Sequence, residues 1–238
     1  MIDGKPGIPG NSEDMALFFD TRAQDYERHM QSTVEDFADF YRTISEALPE
    51  WGDDPKILDL GIGTGLELEH LFERFPQARI TGIDLSQGML DQLSQKARPW
   101  IDNLTLKQGS FLDLDPESDA FDAVISSMAL HHWIPRVKLD LYRRIYRSLL
   151  PGGVFVNGDY IVPIKESSRQ LAAFAEAGLD ECHQLHIDLP LSIDQERDLL
   201  VEAGFASVST LFERPHVAIL TASKNQATAS TRYQDKPE

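Results

Sequence analysis

Between Lys56 and Ala222 the chain alternates two patterns: short apolar runs, and longer stretches in which apolar residues recur every third or fourth position. A run of the first kind reads as a strand buried on both faces, and a stretch of the second kind as a helix with one apolar stripe. Lys56–Leu60, Arg79–Ile83, Leu104–Lys107, Phe121–Ser126 and Val154–Gly158 are the predicted strands. Predicted helices fall between them over 66–75, from Ser86 through Ala97, and from Pro135 to Leu150, the last with proline at a favoured first-turn position. This alternation demands parallel strands joined by crossover helices, and so predicts an α/β, Rossmann-like doubly wound sheet. A helix over Ile193–Ala203, stopped by Gly204, precedes two predicted strands, Phe205–Glu213 and His216–Ala222, joined across Arg214-Pro215. The expected sheet is therefore seven-stranded and mostly parallel, with an antiparallel last strand.

The flanks follow other rules. Residues 1–11 are rich in Gly and Pro and residues 224–238 are polar, so both are expected to be disordered or flexible. Ser12 is the predicted cap of a helix carrying Leu17, Phe18 and Phe19, and a second amphipathic stretch runs through Val34, Phe37, Phe40, Tyr41, Ile44 and Leu48. Residues 12–50 are expected to form a helical lid on a single domain spanning 12–223. After Asp159 the alternation stops, and residues 160–190 lie beyond the C-terminal end of a strand, the ligand side of an open sheet. They are expected to form a cap.

Composition narrows the class. A chain of 238 residues with 42% apolar content can bury the core of one domain. No apolar run reaches membrane-spanning length, and Met1-Ile2-Asp3-Gly4-Lys5 lacks a basic region followed by an apolar segment, so a cytoplasmic protein outside the membrane is expected. The single cysteine, Cys182, excludes an intrachain disulfide. With 22 basic against 39 acidic residues the net charge is −17, which disfavours nucleic acid and anionic membrane surfaces. Cys182-His183-x-x-His186 has no evident fourth ligand or second cluster, and no metal is expected. The molecule is read as a monomer or a homodimer.

The candidate chemistry starts at Lys56-Ile57-Leu58-Asp59-Leu60-Gly61-Ile62-Gly63-Thr64-Gly65. A buried strand runs into a glycine-rich turn and then a helix, whose free N–H groups face whatever ligand lies on the turn. Asp59 adds an acceptor suited to a cationic or donor-bearing ligand group. Asp84 ends the second strand, where a carboxylate can accept from both hydroxyls of a ribose. Asp84 alone leaves a dinucleotide open. The loop, however, is Gly-x-Gly-x-Gly rather than Gly-x-Gly-x-x-Gly, and the strand pattern ends in a helix and a hairpin rather than a second mononucleotide-binding half.

From about Phe19 to Ala222 the chain resembles the class I S-adenosylmethionine-dependent methyltransferase family, small-molecule type. The resemblance rests on residues 57–65, on Gly82-Ile83-Asp84-Leu85-Ser86, on Gln108-Gly109-Ser110-Phe111, on residues 121–126 with Leu130-His131-His132, and on Leu150-Pro151-Gly152-Gly153. Phe19-Asp20 with Tyr26 and Arg28 is similar to the family's opening helix. The resemblance implies S-adenosylmethionine as cofactor and S-adenosylhomocysteine as product. It implies Asp59 with Gly61, Gly63 and Gly65 beside the methionine moiety, and Asp84 on the ribose. It also implies Leu85, Met89, Ser110 and Phe111 around the adenosine, Ser126 at the methionine end, and Tyr26 and Arg28 enclosing the whole. Ser110 departs from the acid that many relatives carry.

Methyl transfer is an in-line displacement at a sulfonium carbon, and a base is needed only when the nucleophile carries a proton. His131, His132, Asp159 and Tyr160 are the candidates near strand ends, and His131 and Tyr160 are taken as the catalytic pair. The expected acceptor is a small molecule or a carrier-bound acid, methylated at O, N or C. A nicotinamide-dependent oxidoreductase and a non-catalytic S-adenosylmethionine-binding protein are the alternatives.

Overall fold

The apolar runs pair into one seven-stranded sheet in a computed structural model, which describes residues 13–52, 54–179 and 185–226. The strands are β1 (Lys56–Leu60), β2 (Arg79–Asp84), β3 (Leu104–Gln108), β4 (Phe121–Ser127), β5 (Leu149–Tyr160), β6 (Ser207–Arg214) and β7 (Val217–Ser223). Their order is β3-β2-β1-β4-β5-β7-β6, with β7 antiparallel to both β5 and β6 and the other pairings parallel. The expected Rossmann-like architecture is therefore observed, including its reversed last strand.

Eight helices accompany the sheet among the described residues: α1 (Met15–Arg22), α2 (Tyr26–Thr33), α3 (Phe37–Glu46), α4 (Leu68–Arg74), α5 (Gln87–Lys96), α6 (Pro135–Ser148), α7 (Ile164–Glu176) and α8 (Ile193–Glu202). Successive strand residues point to opposite faces, so the continuous apolar character of β1 serves two cores. Ile57 packs with Phe40, Ile44, Leu71 and Leu93 of α3, α4 and α5. Leu58 and Leu60 pack with Leu141, Tyr142, Ile145 and Leu200 of α6 and α8.

Several boundaries differ from the sequence-based expectation. Ser12 lies outside the described residues, as do Cys182 and His183. Asp14 caps α1 instead, accepting from Leu17 N at 3.0 Å. The stretch through Val34 and Leu48 is not one helix: Val34 is extended and Asp36 sits at φ 52°, so α2 ends before α3 begins. Helix α6 stops at Ser148 because Leu149 already pairs with Phe121, which puts the Pro151-Gly152-Gly153 turn inside an irregular β5. Within residues 160–190, α7 starts at Ile164 and ends at Glu176. Among the described residues no helix is long and apolar enough to cross a membrane.

One polar group is locked between helices. Lys138 of α6 and Glu196 of α8 are 0% and 3% exposed, form an ion pair, and share it with Tyr142, whose hydroxyl donates to Glu196 Oε2 at 2.6 Å. Removing one partner of a buried pair strands the other without water. Glu196→Ala is therefore expected to lower unfolding stability by about 3–5 kcal/mol in urea titrations, while the double change Lys138→Met with Glu196→Leu recovers most of the loss. A loss below about 1 kcal/mol would place Lys138 in the range of a solvent-exposed pair.

Candidate active site

The strand order reverses between β1 and β4, and an open sheet binds ligands in the crevice above such a point. The loop after β1 is bent for it: Gly61, Gly63 and Gly65 have φ of 78°, 54° and 69°. A Cβ at Gly61 would stand 2.5 Å from Ala129 Cβ, so only glycine lets this loop pass the segment after β4.

Asp84 fixes the loop from the side. Its Oδ2 accepts from Gly63 N at 2.8 Å and its Oδ1 from Ser86 N at 2.9 Å. Burial pushes its carboxyl up to about 6, against the pull of those two bonds. Ser86 caps α5 by accepting from Met89 N at 3.0 Å. Its hydroxyl donates to Asp20 Oδ1 at 2.5 Å, which also accepts from Gly88 N at 2.8 Å. Asp20 thus staples α1 onto the N-terminal end of α5.

A narrow cleft of about 50 Å³ results. Tyr26, Gly61, Gly63, Asp84, Leu85, Met89, Ser110 and Phe111, all marked by the sequence, line it. Met15, Phe19, Met128, Ala129, His132 and Trp133 complete it, and of these the sequence had marked His132, as a possible base, and Phe19, in the opening-helix motif. The narrowness comes from α1 and α2, which lay Met15, Phe19 and Tyr26 across the opening.

Other expected site residues stand elsewhere. Arg28 does not enclose the cleft: its side chain is 79% exposed and pairs with Asp25 at 2.9 Å, one helical turn away on the solvent side. Gly65 is not on the cleft wall, and Ser126 is fully buried behind it, its hydroxyl donating to Leu60 O at 2.8 Å. Asp59 is also fully buried beneath the loop. Neither of its oxygens meets a donor, nor does Glu67 Oε1, while Glu67 Oε2 accepts from Ser127 Oγ at 3.0 Å. Burial first, and for Asp59 the facing Glu67 carboxyl second, raises both groups. One proton shared between the two satisfies that environment.

These features fit a nucleoside cofactor with a cationic end. The glycine cradle lies in the wall, Asp84 has a lone pair free on each oxygen, and the buried acid pair below the loop favours a positive charge nearby.

A second cavity of about 350 Å³ adjoins the first and shares Phe19, Tyr26, Met128 and His132 with it. Met128, at φ 51°, holds a strained conformation for a side chain of its size, anchored by its N–H to Gly158 O at 2.8 Å. His131 Nδ1 meets Asp159 Oδ1 at 2.6 Å, and its Nε2 lies 3.5 Å from Asp188 Oδ1. Burial opposes a charge on His131, but these two carboxylates outweigh it and raise the ring to about 9. Asp159 is correspondingly held below its usual range by the imidazolium, despite burial. His131 already carries its proton at neutral pH. Tyr160 is likewise pushed up to about 12, by burial and then by Asp159. Neither member of the expected catalytic pair is a ready base.

His131, His132 and Asp188 bring ligand atoms within 4.8 Å of one another, the spacing of a cation site. Without an ion, neighbouring acceptors place the ring protons. Nδ1 of His132 faces two acceptors, Ile187 O at 3.1 Å and Asp188 Oδ1 at 3.3 Å, so it donates. His131 is an imidazolium. Of the Cys182-His183-x-x-His186 stretch only His186 is described, and its ring stacks on Phe18 with centroids 3.6 Å apart.

Comparisons with known proteins agree with the geometry. A family model described as "Methyltransferase domain" matches residues 57–153. The carboxy-S-adenosyl-L-methionine synthase of Campylobacter fetus is 26% identical over 71% of this chain and 77% of its own. The trans-aconitate 2-methyltransferase of Deinococcus radiodurans is 38% identical, but over 42% of this chain and 35% of its own length. Human N-acetylserotonin methyltransferase, solved in complex with S-adenosylmethionine, superposes with a TM-score of 0.63 at 18% identity, covering 90% of this chain and 60% of its own. The chain thus spans less than two thirds of the latter two proteins. Nothing in these matches supports the nicotinamide or non-catalytic alternatives.

The charge on His131 has a consequence for stability. Its folded-state affinity for the proton exceeds that of a free histidine, near 6.5, so its contribution is fully present below that pH and is lost as pH rises through about 9. A shift of this size is worth on the order of 3 kcal/mol at most. In urea titrations at pH 6.5 and pH 9.5, wild type is expected to lose stability that His131→Gln does not lose. Equal losses in both proteins would remove the charge from His131.

Proposed function

We propose that this chain, which belongs to the class I S-adenosylmethionine-dependent methyltransferases, carries a methyl group from that cofactor to a small molecule seated in the second cavity. The observation that carries the reading is the shared wall. Phe19, Tyr26, Met128 and His132 border both cavities, so a group held in the first abuts one held in the second. When bound, S-adenosylmethionine supplies a methyl already activated on a sulfonium sulfur.

The chain's own residues then bind, orient and exclude water. Asp84 accepts from the ribose hydroxyls with its unused lone pairs. The bare Cα atoms of Gly61 and Gly63, whose N–H groups are held by Ile83 O and Asp84, let the chain linking nucleoside to methionine lie against the loop. Leu85, Met89, Ser110 and Phe111 enclose the base, and the Asp59–Glu67 acid pair favours the ammonium end from below. Phe19 and Tyr26 shut out water, and α1 must swing outward to admit a ligand to so narrow a cleft. Segment 160–190 acts as the cap that selects the acceptor, since it contributes Tyr160, His186 and Asp188 to the second cavity. With a net charge of −17 the enzyme is read as acting on small molecules in the cytoplasm, as a monomer or a homodimer, rather than on nucleic acid.

Calorimetry tests this directly. The protein is expected to bind S-adenosylhomocysteine and not NAD, and Asp84→Ala to weaken that binding by about 1.5–3 kcal/mol, the range for a hydrogen bond to a charged group. Unchanged affinity in the variant would take the ribose away from Asp84. Binding of NAD alone would overturn the cofactor.

A further inference from the structure

Among the described residues, one buried histidine nitrogen in the wall of the second cavity meets no hydrogen-bond partner. His131 has both ring nitrogens beside carboxylates, at 2.6 Å and 3.5 Å. His186 lies stacked on Phe18, with its Nε2 3.9 Å from Asp188. His132 differs from both. Its side chain is 3% exposed, its Nδ1 donates toward Ile187 O and Asp188, and its Nε2 is buried without any partner. A ring that donates from Nδ1 carries a lone pair at Nε2. An unmatched buried acceptor is costly, and such groups persist where they have work to do. His132 also stands in the wall common to both cavities.

We propose that Nε2 of His132 is the base that takes the acceptor's proton, and that the acceptor is a neutral hydroxyl compound with an apolar body. This rests on the methyltransferase reading above. The class of acceptor follows from the walls. Phe18, Phe19 and Met30 offer apolar surface. Arg22 is already paired with Glu13 at 3.2 Å, and His131 is neutralised on both sides, while Asp25 and Asp188 face the same space. A carboxylate acceptor finds no unpaired permanent cation there among the described residues. An amine attacks with its own lone pair and needs no base in the transition state, whereas a hydroxyl gains nucleophilicity as its proton leaves.

The step balances. The hydroxyl oxygen forms a bond to the methyl carbon as its proton passes to His132 Nε2. The electron pair of the broken sulfur–carbon bond stays on sulfur. A methyl ether, a thioether and an imidazolium result. The groups facing His132 suit this cycle. Burial and then the His131 charge keep its ring below the ordinary histidine value, so it is a free base at neutral pH. His186, itself pushed down to about 4, adds no charge there. After transfer, two adjacent imidazolium rings repel, and Asp188, 58% exposed, is the neighbouring carboxylate through which the proton reaches water.

The test uses ring-nitrogen NMR on the whole protein, and turnover of three probes: a phenol, an aniline and a benzoic acid. At pH 7 the spectrum is expected to show His132 neutral and protonated at Nδ1, beside a charged His131, with His132→Asn giving the assignment. Wild type is expected to convert the phenol to its methyl ether. His132→Asn should cut kcat on the phenol at least a hundredfold, regain rate as pH rises and the phenol ionises unaided, and keep the circular dichroism spectrum of the wild type. Phenol turnover in the variant within threefold of wild type overturns the proposal, as does methylation confined to the aniline or the acid, or no ether at all. If His132→Asn does not fold, the wild-type spectrum decides: a proton on Nε2 of the neutral ring overturns it. Failure of wild type to bind S-adenosylhomocysteine is a different result, which removes the cofactor reading itself.

Discussion

Carboxylates buried at the C-terminal edge of the sheet set the terms for everything around them. Asp59 lies one residue short of the end of β1, Asp84 ends β2, and Asp159 lies one residue short of the end of β5. Asp59 and Asp159 are taken out of water and Asp84 is half-buried, and a carboxylate short of water must be protonated, hydrogen-bonded or paired. The three are met differently. Asp84 receives two backbone N–H groups, and in receiving them it dictates the path of the glycine loop. Asp59 receives no donor and shares its predicament with Glu67. Asp159 receives an imidazolium, together with N–H groups from Leu130 at 3.0 Å and Tyr160 at 2.9 Å. The same burial therefore ends in raised carboxyl groups at two strands and a lowered one at the third, because only the third compensation brings a full charge.

That difference divides the crevice in two. Above β1 and β2 the protein offers acceptors and acids, an environment for hydroxyls and a cation. Above β5 it offers charge that is already balanced, together with aromatic and thioether surface. Helix α1 carries Phe19 between the halves, held by Asp20 against α5. The same carboxylate accepts from Gly88 N in the helix that carries Met89, so α1 and that wall of the cleft are joined through one side chain.

The sheet was legible because burial on both faces leaves an uninterrupted apolar run, a signal carried by adjacent residues. The glycine loop and Asp84 were legible for the same reason, since their spacing is local. The helix breaks near Asp36 and Ser148 were not. The first depends on one aspartate adopting a left-handed conformation, and the second on Leu149 finding Phe121 in another strand. Arg28 was misplaced because resemblance carries a residue type to a position without fixing which way a helix turns it; here it meets Asp25 in solvent. Asp188 was missed altogether, and Asp20 was named only as part of the opening-helix motif, with no role. Their partners lie in distant segments, and nothing in the surrounding pattern marks an isolated aspartate.

The two histidines show the limit most plainly. They are neighbours in the chain, in a short turn over Leu130–His132, and no sequence rule ranks one above the other. Space does. His131 points toward the end of β5, where the Asp159 carboxylate favours its charged form, while His132 donates its Nδ1–H to the carbonyl of Ile187. The charge on the first then keeps the second neutral, so the two rings are a coupled pair with opposite states. Those states depend on three segments meeting: the turn after β4, the end of β5, and the stretch around Ile187 and Asp188. Proton placement in the second cavity is thus set by how the stretch around Ile187 and Asp188 meets the turn after β4. A chain with the same strands and a different stretch there would change the chemistry of that cavity.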